Sequence, residues 1–253
     1  MIPTKLTNRA SYFLFILLFT ILSADPWHPE INHRPRILLL LDQIEEVQNR
    51  LNQEPYLSLW NNQFGSNQSI YQNARRFIEP TINTQSNPRS FFDKRAWIAK
   101  DAAFVFLMNR KADGSTILDD FTDELNPWSR SDYFDHAIEY LESIDPTVIG
   151  PNDIIELISH GPMVNNWQYR SRELINYCQA YDLLLGSGME PNDLIEDNLI
   201  QFAENLISKY TATEYTNQYL LQRNNHKLAI GAALGMAAVT LNQNQNSRKW
   251  ANA

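Results

Sequence analysis

The sequence predicts an all-α fold, and three observations lead to this prediction. Apolar residues recur at three- and four-residue steps along most of the chain, as they do on one face of an amphipathic helix. Glycine is scarce, with 8 in 253 residues. No strand-length window alternates convincingly between apolar and polar residues. With 43% hydrophobic residues, the chain can also bury a sizeable core.

The first 24 residues are typical of a secretory signal peptide. Lys5 and Arg9 make the start positive, and the apolar run "YFLFILLFTIL" is too short to span a bilayer comfortably. The triplet "LSA" before Asp25 offers a cleavage site with small residues. We therefore expect residues 1–24 to be removed and residues 25–253 to act in the periplasm or outside the cell. An uncleaved membrane anchor is the alternative.

Charge and cysteine content limit the kinds of partner. Removal of residues 1–24 takes away two positive charges and moves the formal net charge from -8 to -10. Since no basic stripe exists to neutralise phosphates, nucleic acid is not an expected partner. Cys178 is the only cysteine, so no internal disulfide can form, and its place on an apolar helix face predicts a buried thiol.

Three long segments show the helical periodicity most clearly. They are "WIAKDAAFVFLM" with Ile98, Ala102 and Val105 on one face, "SRELINYCQAYDLLL" with Leu174, Tyr177, Cys178, Tyr181, Leu184 and Leu185, and "EPNDLIEDNLIQFAENLISKY" with Ile195, Leu199, Phe202 and Leu206. Turn-forming stretches such as "DPTVIGPND" and "GSGME" separate the helices. This spacing suggests helical hairpins laid side by side, which can stack as a solenoid or curl into a toroid.

The stretch "LQRNNHKLAIGAALGMAAVTL" near the end of the sequence joins a polar cluster to an apolar helix rich in small residues. A helix that is apolar on nearly every side is usually buried on every side, so we expect it in an inner ring of helices. Asn224 or Asn225 can cap its first turn. His226 is unusual there, because a protonated imidazole opposes the helix dipole.

This arrangement favours one kind of chemistry, β-elimination next to a uronic acid. The positive helix end keeps the imidazole of His226 neutral and attracts an anion, and the Asn225 amide can donate to a substrate carboxylate. Donors that neutralise the carboxylate allow an enolate-like intermediate to form, while a base removes the C5 proton.

The segment "QRNNHKLAIGAALGMAAVTL" resembles the Asn-Asn-His segment of the heparinase II/III-like and alginate lyase families of polysaccharide lyases. "RSRELINYCQAYDLLL" is similar to the helix that precedes it there, and "RPRILLLLDQIEEVQNRL" to the mature N-terminus. The resemblance covers about residues 34 to 241. It implies an incomplete (α/α) toroid followed by an antiparallel β-sandwich, cleavage of alginate or a glycosaminoglycan without metal or cofactor, and Asn225 and His226 as catalytic residues.

Two features of the family have no counterpart in this sequence. The tyrosine that acts as general base and acid follows the Asn-His pair in the family, and nothing in "NQNQNSRKWANA" matches it. The β-sandwich is absent as well, and "SRKWANA" reads as the opening of a further helix. We therefore expect a truncated sequence, whose activity belongs to a longer protein that carries the β-sandwich domain.

Several aromatic and cationic residues are candidates for a substrate cleft, since sugars stack on aromatic faces and arginines bind carboxylates or sulfates. They are Trp167, Tyr169, Arg170, Arg172 and Arg223. A structural role is the alternative for Trp167, Arg170 and Arg172, and an exposed solubilising charge is the alternative for Arg223. The histidines other than His226 show no ligand spacing with one another, so no metal is expected. A glycoside hydrolase on a helical toroid and a non-catalytic module that binds glycans or other proteins are the competing functions.

Overall fold

The computed structural model describes residues 34–35, 37–51, 53–56, 70–77, 88–109, 128–147, 166–211 and 225–253. The chain divides into two compact units, Met1–Asn32 and His33–Ala253. The predicted signal peptide falls outside the described residues. Within the second unit, the described residues form helices and turns and contain no strand, so the all-α prediction is confirmed there.

A single 3-10 turn, Leu41–Gln43, precedes the α-helices of the described chain. In chain order these are α1 (Ile44–Leu51), α2 (Ile70–Ala74), α3 (Pro88–Met108), α4 (Arg130–Glu142), α5 (Asn166–Gly186), α6 (Asp193–Thr211), α7 (Asn225–Thr240) and α8 (Ser247–Ala251). Helix α5 is central, since it packs against α3, α4, α6 and α7.

Helices α3 and α4 form an antiparallel pair. Arg95 near the start of α3 bonds Ser143 just after α4, whereas Arg130 at the start of α4 donates to the carbonyl of Phe106 near the end of α3. The Arg130 guanidinium also lies 3.7 Å from the centroid of the Phe106 ring. Contacts at both ends therefore fix the opposite directions of the two helices.

Helices α5 and α6 form a second antiparallel pair. The Tyr181 hydroxyl, near the end of α5, accepts a hydrogen bond from the Asn192 amide just before α6. Arg170, near the start of α5, lies over the Phe202 ring in the middle of α6 at 4.3 Å. The turn between them uses Gly188 at φ 95°, and the Met189 amide bonds the Leu184 carbonyl, which is a Schellman ending of α5.

The core is the one that the periodicity predicts in α3, α5 and α6. All the apolar positions named for these helices are buried except Leu185, which is half-buried. Cys178 is fully buried, as predicted, and burial raises the pKa of its thiol to about 12. Because the thiolate is disfavoured at neutral pH, this cysteine has no nucleophilic character there.

Helix α7 differs from its prediction. The helix packs on α5, and residues such as Ile230 and Leu234 are buried, but Leu228 is 76% exposed, and Gly231 and Ala232 are exposed as well. The expectation of a helix buried on every side is therefore wrong. A small-residue helix exposes little apolar area on its open face, so partial exposure costs less than the hydropathy of the sequence indicates.

Candidate functional site

The predicted catalytic pair lies at the start of α7. Asn225 is the first residue of this helix and His226 the second, so both belong to the turn whose backbone amides have no partner within the helix. That end of a helix carries partial positive charge and favours an anion. The side chains of Asn225 and His226 lie outside the described part of the chain, as do Asn224 and Arg223.

The topology places the start of α7 at the same end of the molecule as the start of α5. Thr240, the last residue of α7, hydrogen-bonds Cys178 in the second half of α5. Because α7 packs along α5 and its last residue lies beside the second half of α5, the first residues of α7 lie toward the start of α5. The backbone segments 166–169 and 225–226 therefore mark one common end of these two helices.

Three other predicted cleft residues lie in the first turns of α5. Trp167 belongs to this helix, although its side chain is outside the described set. Tyr169 is half-buried and Arg172 is exposed. The Arg172 guanidinium lies 5.6 Å from the centroid of the Tyr169 ring, as residues three positions apart on a helix can. An accessible cation beside an aromatic ring is thus present at this end of α5.

Arg170 lies in the interior, in contrast to its predicted position in a cleft. It is fully buried, forms an ion pair with Glu173 and donates to the carbonyl of Asp145. Its neighbours in sequence point in different directions around the helix, so a run of polar residues does not keep to one face. We therefore assign Arg170 to helix packing and leave it out of the candidate site.

A separate open cavity of about 400 Å³ lies along α4. It is lined by Trp128, Asp132, Asp135, His136 and Glu139. Trp128 precedes the helix, and the carboxylates follow at positions that lie on one helix face. A lining that combines an aromatic ring with several carboxylates suits a neutral or cationic ligand, such as an uncharged sugar, better than an acidic one.

One hydrogen bond and two further contacts hold the histidine of this cavity in place. Nε2 of His136 is 2.8 Å from the carbonyl oxygen of Arg76, and Nδ1 is 3.6 Å from a carboxylate oxygen of Glu139. The ring also contacts Trp128 edge-on, with centroids 5.0 Å apart. His136 is thus fixed between the cavity and the segment after α2.

The three carboxylates differ in their surroundings. Asp132 accepts hydrogen bonds from the Ser129 hydroxyl and amide, which hold its pKa below the usual range. Asp132 therefore forms part of the N-terminal cap of α4. Asp135 and Glu139, one helical turn apart, are the two carboxylates that face the cavity without a role in the cap.

The α4 cavity was not predicted from the sequence. A signal was present, since Asp132, Asp135, His136 and Glu139 follow one another at helical spacing. This spacing is also that of a solvated helix face, and the contact with Trp128 that turns it into a cavity exists only in the folded chain.

Two other features were sought among the described residues, a metal site and a membrane-spanning helix. Within them, no group of three or more His, Cys, Asp or Glu side chains is arranged to hold a metal ion. In the same part of the chain, no helix combines the length and apolarity needed to cross a bilayer.

Comparisons with known proteins give the chain no family. No family model matches it, and no curated protein does either.

Proposed function

We propose that the protein is a polysaccharide lyase that cleaves a uronic-acid-containing glycan, such as alginate or a glycosaminoglycan, by β-elimination. The observation that carries this proposal is the position of Asn225 and His226 in the first turn of α7. The first turn of α7 lies at the same end as the first turns of α5, which carry Tyr169 and Arg172, and this position supports the proposal. The β-sandwich domain, the (α/α) toroid and an exported location belong to the same proposal.

The chemistry assigns a role to each group. The Asn225 amide and the amides of the α7 turn bind the substrate carboxylate and neutralise its charge. Neutral His226 accepts the C5 proton or orients the group that does. Arg172 supplies positive charge at the cleft rim, which an acidic protein needs in order to attract an acidic polymer.

The direct test measures the unsaturated product. The extended protein with the expected C-terminal domain is incubated with alginate and with heparan sulfate, and absorbance of the new C4–C5 double bond is followed in the ultraviolet. We expect His226→Ala to lower the rate by about 10²- to 10⁴-fold, because it removes a proton-transfer group.

A matched control lies two residues further along the same helix. Leu228→Ala changes a side chain that is 76% exposed, and we expect it to leave the rate unchanged. Chain cleavage without the ultraviolet absorbance, or full activity of His226→Ala, would exclude the lyase.

A glycoside hydrolase is the second candidate, and the α4 cavity favours it. Hydrolysis needs two carboxyl groups across the scissile bond, and Asp135 and Glu139 lie about 6 Å apart between Cβ atoms, as expected for helix positions four apart. Trp128 offers a face for a sugar ring.

The hydrolase makes a different prediction from the lyase. Glu139→Gln and Asp135→Asn should each lower the release of reducing ends by at least about 10²-fold, with no ultraviolet absorbance in any sample. His226→Ala would leave a hydrolase at this cavity unchanged. Unaltered turnover in both carboxylate variants would rule the α4 cavity out as a catalytic centre.

A further inference from the structure

The chain that precedes the 3-10 turn contacts the ends of two long helices. We call its described residues Arg34, Pro35 and Ile37 the strap. The strap is separated in sequence by about 145 to 206 residues from the groups that it contacts. It therefore provides a long-range connection that helix packing alone does not require.

Arg34 connects the strap to both α5 and α7. One guanidinium nitrogen donates to the carbonyl oxygen of Thr240 at 2.7 Å, and another lies 3.6 Å from a carboxylate oxygen of Asp182. Thr240 ends α7, where carbonyl groups lack partners within the helix and the dipole favours a cation. A single side chain thus binds the C-terminal end of α7 to the last third of α5.

Asp182 holds the strap through a second contact. Its other carboxylate oxygen accepts a hydrogen bond of 3.0 Å from the Ile37 amide. The Asp182 side chain is 1% exposed, whereas that of Arg34 is 23% exposed. A buried carboxylate that lacks a positive charge and hydrogen-bond donors destabilises the folded state. Loss of the strap would leave Asp182 in this condition, so the contacts with Asp182 stabilise the docked strap.

The strap packs closely against Gly186, the last residue of α5. A Cβ atom at this position would collide with the Pro35 ring, so the backbone of α5 and the strap approach as closely as glycine allows. Beyond the strap, Leu38, Leu40 and Leu41 are each nearly half exposed. The strap is therefore docked tightly, and the chain that follows it is accessible.

We propose that the strap is a conformational latch that holds the C-terminal end of α7 on α5. Undocking the strap, or cutting the exposed chain at Leu38–Leu41, releases this end while the remaining contacts of α5 persist. The latch lies at the opposite end of α7 from Asn225 and His226, so it does not depend on the proposed lyase activity.

Amide hydrogen exchange of the whole chain tests the latch. Arg34→Ala removes the guanidinium, and Gly186→Ala displaces the strap by steric collision without changing any charge. We expect both variants to raise the exchange rates of the amides at 238–241 by about tenfold. Arg50→Ala, which breaks an exposed pair with Glu46, is the control and should leave these rates unchanged.

The result that overturns the latch is equally specific. Faster exchange at Ile37 with unchanged exchange at 238–241, in both strap variants, shows that the strap binds without holding α7. If Arg34→Ala unfolds the protein, Arg34→Lys keeps the charge but loses the planar fork. A rise confined to the strap and 238–241 then supports the latch, and an equal rise in every helix contradicts it.

Discussion

Two buried tyrosines of α5 differ in what their hydroxyl groups contact. The Tyr181 hydroxyl accepts from the Asn192 amide and donates to Glu196, both at 3.0 Å. The Tyr177 hydroxyl is buried and has no hydrogen-bond partner among the residues that the structure describes. Burial and the nearby Glu173 carboxylate raise the pKa of Tyr177 well above its ordinary value, so the group remains a neutral phenol. A buried hydroxyl without a partner costs free energy, and one with two partners does not.

This contrast gives a prediction for a pair of identical substitutions. Tyr177→Phe should leave the free energy of unfolding unchanged or raise it by up to about 1 kcal/mol, since it removes an unsatisfied group. Tyr181→Phe should lower it by about 1–2 kcal/mol, because Asn192 and Glu196 each lose a partner. Urea denaturation of both variants measures the difference. Equal losses in the two variants would contradict this account of the hydroxyl groups.

At the scale of single helices, α4 begins with a capping box. The Ser129 hydroxyl accepts from the Asp132 amide, and the Asp132 carboxylate accepts from the Ser129 amide at 2.6 Å. The carboxylate is held below its usual pKa by these donors. A pKa that is lower in the folded than in the unfolded state stabilises the protein above the unfolded value, and this stabilisation is lost as the pH falls through the folded value.

Ser129→Ala should therefore destabilise the protein in a pH-dependent manner. We expect a loss of about 1 kcal/mol at pH 7, and the loss should shrink below about pH 4 as Asp132 becomes protonated. Thermal unfolding from pH 3 to pH 7 measures it. Gln201→Ala, an exposed change on α6, is the control with little expected effect. A loss that is constant over this pH range would show that Asp132 takes no part.

For the whole compact unit, the segment that follows α4 joins three helices. Arg95 of α3 bonds Ser143, Arg170 of α5 bonds the Asp145 carbonyl, and Asn205 of α6 donates to the Pro146 carbonyl at 2.9 Å. Arg170 is fully buried there with Glu173, which is 2% exposed. Removing one partner of a buried ion pair lowers the stability of the folded state, because the other charge remains buried without a partner.

Arg170→Met should lower the stability of the whole unit by about 3–5 kcal/mol. Replacing Glu173 with Leu in the same chain should restore part of this loss, since both charges are then removed. Calorimetry of the single and double variants measures both effects, and Arg50→Met at the exposed Glu46 pair should cost less than about 1 kcal/mol. If Arg170→Met lowers the free energy of unfolding by less than about 1 kcal/mol, the Arg170–Glu173 pair does not contribute to stability as proposed.

The sequence by itself determined that the described part of the chain is helical and which residues of α3, α5 and α6 enter its core. Ile98, Tyr177 and Phe202 could be assigned from periodicity because burial on one helix face leaves a regular pattern in the chain. It also marked Asn225 and His226 as the start of a helix, since the cause of that start is local.

Only the tertiary structure decided which side of α7 is open, that Arg170 is interior, that Trp128 and α4 line an open cavity, and that Arg34 binds Asp182 and Thr240. Each of these depends on partners far away in the sequence. Helix periodicity predicts whether a helix face is buried or polar. It does not predict which group packs on that face, because this depends on how the helices pack together.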